Sequence, residues 1–167
     1  MTAYNGGMIM AEMNVDYINP FLKAAISIIK DACQVELKVG KPYASSINFT
    51  DDTVIILIGV TGEMRGQVVL SMHVDKACDI ASRMMMGMPV EQLDDMATSA
   101  ISELGNMIMG NAATIFSTKN IGIDITPPTV GRGSGKIDTL YSKNIVIPLL
   151  QDNDEVFIEM NIAMKIG

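Results

Sequence analysis

The segment TVIILIGVTGEMRGQVVLSM, residues 53–72, sets the fold class of this 167-residue chain. Two runs rich in β-branched and other apolar residues flank the short sequence TGEM, whose glycine and polar residues are typical of a turn between antiparallel strands. The segment therefore predicts a β-hairpin. Its longest apolar run, TVIILIGV, has the length of a strand and is too short to span a membrane.

Helical patterns lie on both sides of this hairpin. Upstream, apolar residues recur every three or four positions in NPFLKAAISIIKDAC, residues 19–33, where we expect Asn19 to cap the helix and Pro20 to open its first turn. Downstream, similar spacing predicts a helix over about residues 75–86 and a longer one over about 91–119. The chain thus offers two long helices and one short helix to cover a sheet.

Further strands are expected around these elements. VELKVGK and YASSINF precede the hairpin, and NIVIPLL and EVFIEMNIAMKI end the chain. In the last segment the even positions from Val156 to Ile166 are apolar, and the odd positions from Phe157 to Lys165 are mixed. Such alternation indicates a sheet with one covered face and one more solvated face.

The order of these elements predicts an α+β fold, because helices do not alternate strictly with strands. We expect an antiparallel or mixed sheet with the two long helices packed on one face. Residues 14–167 are expected to form a single domain. The preceding residues 1–13 show little periodicity and are predicted to be a disordered leader.

Charge excludes several classes of partner. The net charge is −7, from 12 basic and 19 acidic residues. Nucleic acids and anionic membrane surfaces both need clustered Lys and Arg, so neither is expected as a partner. No secretory signal pattern begins the sequence, and therefore the cytoplasm is the expected location and the sequon NFT at Asn48 has no predicted role.

Cysteine and histidine usage argues against a metal site. Cys33 and Cys78 lie far apart in helical, apolar segments and are predicted to be small buried side chains. His73 is the single histidine, which makes a Ser-His-Asp triad or a histidine-rich metal site hard to build. No metal ligand is predicted.

The sequence GRGSGK, residues 131–136, resembles a phosphate-binding loop only superficially. Ile137 replaces the required Ser or Thr, and a strand is expected where that motif needs a helix. The segment is therefore predicted to be a flexible loop.

The longest predicted helix carries two opposite stripes. Its apolar stripe, expected to pack on the sheet, consists of Ala97, Ile101, Leu104, Ile108, Ala112 and Ile115. Its polar stripe has the same spacing and consists of Ser99, Glu103, Asn106, Gly110, Thr114 and Ser117. At about 100° per residue, Glu103 and Asn106 should face solvent about 60° apart.

The polar stripe has two interpretations. Solvated helix faces are common, but they usually pair Lys or Arg with Glu. No Lys or Arg occurs between Met96 and Ser117, and Asn and Gly are poor helix formers. These features favour a docking surface for another protein, with Gly105 and Gly110 expected to allow its backbone to come close.

The stripe resembles the helix signature S/D-x3-E-x2-N of the CheC/CheX/FliY chemotaxis phosphatases, at Ser99, Glu103 and Asn106. INPFLKAA, the hairpin, and GNAATIFS followed by IDITPPTV are also similar to that family, so the resemblance covers about residues 14–167. Only one signature is present, since the first helix has Lys23 and Ser27 where a second copy would begin. The chain is therefore most similar to the CheX branch.

The resemblance implies a CheC-like fold and a protein phosphatase. Its substrate would be the aspartyl phosphate of a CheY-like receiver domain, which would supply Mg²⁺, so no cofactor of its own is expected. Asn106 would position the attacking water, and Glu103 would pair with the receiver's active-site lysine. Ser99, Glu103 and Gly110 would contact the partner, and a homodimer through the sheet is implied.

Two other functions fit the same residues. A binding module without catalysis would sequester a receiver or a flagellar switch component. A homodimeric structural protein would use the 15 methionines at its interface and would bind no receiver.

Overall fold

The structure, a computed structural model, describes residues 14–44, 47–137 and 143–166. After a 3-10 turn at Val15–Tyr17, the helices are α1 (Asn19–Cys33), α2 (Val74–Met84) and α3 (Asp95–Thr118). The strands are β1 (Lys38–Val39), β2 (Ile47–Phe49), β3 (Thr53–Gly62), β4 (Met64–His73), β5 (Ile123–Ile125), β6 (Thr129–Arg132), β7 (Gly135–Ile137), β8 (Lys143–Leu150) and β9 (Val156–Ile166). Within these residues no helix has both the length and the apolar composition that crossing a membrane requires.

The main sheet is antiparallel and has the order β1-β8-β9-β4-β3. The outer edge of β3 is shared by β5, which pairs with Val60–Gly62, and by β6, which pairs with Val54–Leu57. Strands β2 and β7 form a separate antiparallel pair. The predicted hairpin is confirmed as β3 and β4, which pair from Thr53 opposite His73 to Val60 opposite Gly66.

The hydrophobic core lies between one face of this sheet and the helices. On β3 the buried side chains are Val54, Ile56, Ile58 and Val60, and they belong to the same cluster as the buried faces of α1, α2 and α3. The predicted α+β fold, with both long helices on one face of the sheet, is confirmed. Burial of this face is the main favourable contribution to folding.

Two helices begin differently from the prediction. Asn19 does not cap α1, because Ile18 is the N-cap and makes no side-chain cap bond. Helix α3 begins at Asp95, later than predicted, because the Asp94 amide donates to the carbonyl of Gln92 in a turn, at 2.9 Å. The Asp94 carboxylate then accepts from the Ala97 amide at 2.8 Å, which is a normal N-cap bond.

The strict alternation predicted for β9 is wrong at its start. Val156 is exposed, and Phe157 is buried in the core. The pairing jumps here, since Leu149 is opposite Ile158 and Leu150 is opposite Val156, so Phe157 is the extra residue of a bulge. Beyond the bulge the second face is less solvated than predicted, because Asn161 is only 3% exposed.

The remaining segments differ in extent from their predictions. GRGSGK is not a loop throughout: it contributes to β6 and β7, with a turn at Gly133 and Ser134. VELKVGK forms only the two-residue strand β1, and YASSINF contributes a single bridge at Tyr43 and the strand β2. The predicted leader, residues 1–13, lies outside the described residues.

Candidate active site

Helix α3 is held rigidly by its inner face. The predicted apolar stripe is buried, with Ile115 partly buried at its end. Near the C-terminal end, the ring of Phe116 meets the ring of Phe21 from α1 edge to face, with centroids 5.1 Å apart. Together with the Asp94 cap, these contacts fix the orientation of the helix about its own axis.

Gly105 has a structural role on this inner face. It is buried, and a Cβ atom there would lie 2.8 Å from Cγ2 of Ile56 and 3.3 Å from Cδ1 of Ile58. The glycine therefore lets the helix approach β3 closely. The expectation that Gly105 faces a partner is wrong. Gly105 is one residue before Asn106, about 100° around the helix axis from it, and points to the sheet.

The polar stripe faces solvent, as its spacing predicted. Ser99, Glu103 and Asn106 are exposed, and Gly110 is half-buried. Thr114 and Ser117 continue the stripe and are also exposed. The fold therefore brings the three signature residues together on one accessible surface.

The members of this stripe differ in their hydrogen bonding. The Thr114 hydroxyl donates to the carbonyl of Gly110 at 3.2 Å, and the Ser117 hydroxyl donates to the carbonyl of Thr114 at 2.7 Å. Glu103 and Asn106, in contrast, make no hydrogen bond or ion pair with any described residue. Their carboxylate and carboxamide are therefore ready to bind an external group.

Gly110 has no steric reason to be glycine within the described residues. A Cβ atom there would meet no atom within 4 Å. Glycine inside a helix costs about 1 kcal/mol relative to alanine. Gly110 lies four residues after Asn106, at an open position where alanine would fit and would stabilise the helix. A partner whose surface comes close at that point would explain why the residue is glycine.

The exposed stripe extends further than the sequence analysis predicted. Met96 lies three residues before Ser99 and is 62% exposed, so it continues the same spacing towards the start of α3. The three-residue gap is visible in the sequence, but methionine is usually a buried residue, so its type gives no signal of exposure.

The other candidate residues lie away from this surface. Cys33 is buried, and burial raises the pKa of its thiol to about 11. Cys78 is only partly buried, so its predicted full burial is wrong. His73 is the N-cap of α2, where its Nδ1 accepts from the Asp75 amide at 3.1 Å. Among the described residues, no three His, Cys, Asp or Glu side chains form a group suited to a metal ion.

The fold and this surface define the class of protein. The model of the family described as chemotaxis phosphatase CheX matches residues 54–150, which is more than half of the chain. The protein therefore belongs to the CheX family, and the predicted family resemblance is confirmed.

Individual relatives agree with this assignment. The chain is 32% identical over 155 residues to the CheY-P phosphatase CheX of Thermotoga maritima, covering 93% of this chain and 99% of the relative. It also resembles the CheX–CheY–BeF3–Mg²⁺ complex structure from Borrelia burgdorferi, with a TM-score of 0.76 and 32% identity over 91% of this chain and 99% of that chain. A CheC-like superfamily protein from Shewanella sp. PV-4 matches with a TM-score of 0.79 and 28% identity, over 91% and 99% of the two chains.

Proposed function

We propose that this protein hydrolyses the aspartyl phosphate of a CheY-like receiver domain. The relative from Thermotoga maritima is a CheY-P phosphatase, and the Borrelia burgdorferi relative forms a complex with CheY. The observation that carries the proposal is the pair Glu103 and Asn106, which are exposed, have no partner among the described residues and are held on a rigid helix. The proposed location is the cytoplasm, together with the receiver.

Asn106 acts by positioning water. Its side-chain oxygen accepts a hydrogen bond from a water molecule, while its Nδ2 donates to a phosphoryl oxygen. This places the water oxygen in line with the bond from phosphorus to the aspartyl oxygen. That bond breaks as the new P–O bond forms, the carboxylate leaves with the electron pair, and the water proton passes to the phosphate product or to solvent.

Glu103 orients the docked receiver. Its carboxylate pairs with the receiver's active-site lysine about one helical turn from Asn106. Such a pair is partly desolvated in the complex and therefore matters more than an exposed surface pair. Ser99 and Gly110 complete the contact surface on either side.

The Mg²⁺ ion comes with the receiver. Glu103 is the sole carboxylate of α3 between Asp95 and Lys119, and its proposed partner is a lysine. A single carboxylate does not make a Mg²⁺ site, which needs a near-octahedral set of oxygen ligands. The face of α3 that carries Glu103 therefore relies on the Mg²⁺ of the receiver.

We also propose that two copies of the chain associate through the sheet. Ile55 and Leu57 of β3 are half-exposed on the face opposite the helices, whereas their neighbours Ile56 and Ile58 are buried in the core. Association through this side leaves α3 of each copy accessible. A light-scattering mass equal to one chain would exclude the dimer.

Turnover of a phosphorylated receiver tests the function. With catalytic amounts of the parent protein, phosphate release should exceed one equivalent, whereas a sequestering module would act only stoichiometrically or slow the decay. Asn106→Ala should lower kcat by about 100-fold or more, because positioning of the water is lost.

Glu103→Ala should lower kcat/KM by about 10- to 100-fold, because both the docking and the orientation of the receiver are weakened.

Ser27→Ala on α1 is the matched control. Ser27 is exposed on the neighbouring helix and should leave turnover unchanged. Circular dichroism and the light-scattering mass show whether each variant keeps its fold and assembly. If Asn106→Ala releases phosphate as fast as the parent, Asn106 is not the catalytic residue.

A further inference from the structure

A group of exposed apolar side chains borders the start of α3. Met88 is 54% exposed and Met96 62%, and both line one cleft with the partly buried Met85 and Val90. We call these four residues the methionine pad. Methionine is flexible and polarisable, and it is common on surfaces that adapt to a protein partner.

The pad is continuous with the proposed active face. Met96 lies about 20° from Glu103 around the helix axis, about 10 Å from it along the axis and about 15 Å from Asn106. A protein interface of ordinary size covers about 800 Å² on each partner, which corresponds to a radius of about 16 Å. A receiver centred on Glu103 and Asn106 therefore also covers Met96.

The pad contains a shallow cleft whose lining includes two carboxylates. The cleft has a volume of about 360 Å³ and is lined by the pad residues, Pro89, Glu91, Gln92 and Asp94. Apolar groups next to carboxylates fit an apolar side chain that has basic groups near it. The receiver lysine proposed to pair with Glu103 places positive charge of this kind on the same partner surface.

The turn that precedes Met88 is held in one backbone conformation, and this conformation is strained. The backbone of Met86 has φ +60°, in the left-handed region that costs a non-glycine residue about 1 kcal/mol or more. Backbone bonds from the Gly87 amide to the Ser82 carbonyl, at 2.8 Å, and from the Met88 amide to the Met85 carbonyl, at 3.2 Å, hold the turn. The backbone of this turn is thus preorganised, which reduces the backbone entropy lost on binding, while the methionine side chains remain able to adapt.

We infer that the methionine pad binds an apolar side chain of the phosphorylated receiver and so determines which receiver is accepted, while Glu103 and Asn106 act on the phosphoryl group. This inference rests on the proposed phosphatase function. The apolar anchor sits at the N-terminal end of α3, whereas the exposed hydroxyls of Thr114 and Ser117 at the other end are bonded to their own helix.

The double variant Met88→Ser/Met96→Gln tests the pad by steady-state kinetics with a phosphorylated receiver. Glutamine has a helix propensity close to that of methionine, so α3 should persist. We expect KM to rise about 10-fold with kcat nearly unchanged, because docking is weakened and the water-positioning residue is untouched. Glu91→Lys should raise KM most at low salt, since it inverts the charge of a residue that lines the cleft.

Val156→Ser is the control, because Val156 is also an exposed apolar residue, 46% exposed, and lies at the start of β9. It should leave KM unchanged. An unchanged KM in the double variant, or a loss confined to kcat, overturns the pad assignment while leaving the phosphatase function intact. If the double variant keeps its KM but dissociates into single chains, the pad binds a second copy of the chain and not the receiver. That result also overturns the pad assignment. Absence of turnover in the parent protein overturns the proposed function itself.

Discussion

Helices α1 and α3 pack against each other on the same sheet, but their outer faces differ in chemistry. On α1 the exposed face carries Lys23, Ser27 and Lys30, with the four- and three-residue gaps of the CheX signature. Lys30 forms an ion pair with Glu36 at 3.3 Å, so this face behaves as an ordinary charged surface.

On α3 the same gaps hold Ser99, Glu103 and Asn106, and no cation is nearby on the helix. The carboxylate and the carboxamide have no internal partners among the described residues. The two helices thus differ most clearly at the third position of the spacing, where Lys30 is paired with Glu36 and Asn106 has no partner among the described residues. Spacing alone therefore does not make the site; the chemistry of the side chains at these positions and the surrounding docking surface do.

Grafting the signature onto α1 should have the largest effect that distinguishes the two helices. We expect Ser27→Glu/Lys30→Asn, introduced into the Asn106→Ala variant, to leave turnover about 100-fold below the parent. The grafted pair lacks a methionine pad, and α1 ends at Cys33, only three residues after position 30. Phosphate release from a phosphorylated receiver is the measurement.

The matched control for this graft is the same pair of changes in the parent background. It should keep full turnover, because loss of the exposed Lys30 ion pair costs about 1 kcal/mol or less. Recovery to within about 10-fold of the parent in the Asn106→Ala background would mean that the signature is sufficient on either helix.

The two glycines of α3 lie on opposite faces and should respond differently to substitution. Gly105→Ala should lower the free energy of unfolding by about 1–3 kcal/mol, because the new Cβ presses on Ile56. Gly110→Ala should raise it by up to about 1 kcal/mol, since the position is open and alanine favours helix. Urea unfolding with a receiver titration checks both.

The expected pattern for receiver binding is the reverse of that for stability. Gly110→Ala should weaken receiver binding although it stabilises the fold. Gly105→Ala should weaken receiver binding only to the extent that the new Cβ displaces α3. Tighter or equal binding by Gly110→Ala would show that no partner comes close to that face.

The smallest expected effect concerns α1 and the pH dependence of stability. Burial raises the pKa of Cys33 to about 11, while an unfolded thiol ionises near pH 9. The neutral thiol therefore stabilises the fold fully below about pH 9, and this contribution is lost as the pH rises towards 11. At pH 10 we expect a loss of about 1 kcal/mol, which should be missing in Cys33→Ala when the two unfolding curves are compared.

A chemical-denaturation series from pH 7 to 10 provides the measurement, and turnover at neutral pH should be equal in both proteins. Parallel pH profiles would show that the Cys33 thiol ionises similarly in the folded and unfolded chains. The result also separates α1 from α3, because changes on α1 should affect stability rather than catalysis.

Much of the fold was predictable because local patterns and tertiary packing agree. The hairpin at residues 53–72 has strong strand propensity on both sides of a turn, and the two stripes of α3 follow directly from helical spacing. The exposure of Glu103 and Asn106 was predictable for the same reason, since the opposite stripe had to face the core.

The features that were not predictable depend on contacts between distant segments. The approach of Gly105 to Ile56 and the bulge at Phe157 are set by neighbouring elements, and neither has a local signal. Exposure of Met86 and Met96 was missed because methionine usually lies in the interior. The roles of the signature residues came from family resemblance, because one carboxylate and one amide do not specify a reaction by themselves.

The anchoring of α3 at both ends limits how this protein can change in length. Inserting one residue between the Asp94 cap and Phe116 would rotate everything beyond it by about 100° and advance it by about 1.5 Å. Either the apolar stripe would leave the core or Asn106 would turn away from its target. Insertions and deletions are therefore tolerable outside these anchors, whereas the part of α3 between them must keep its length.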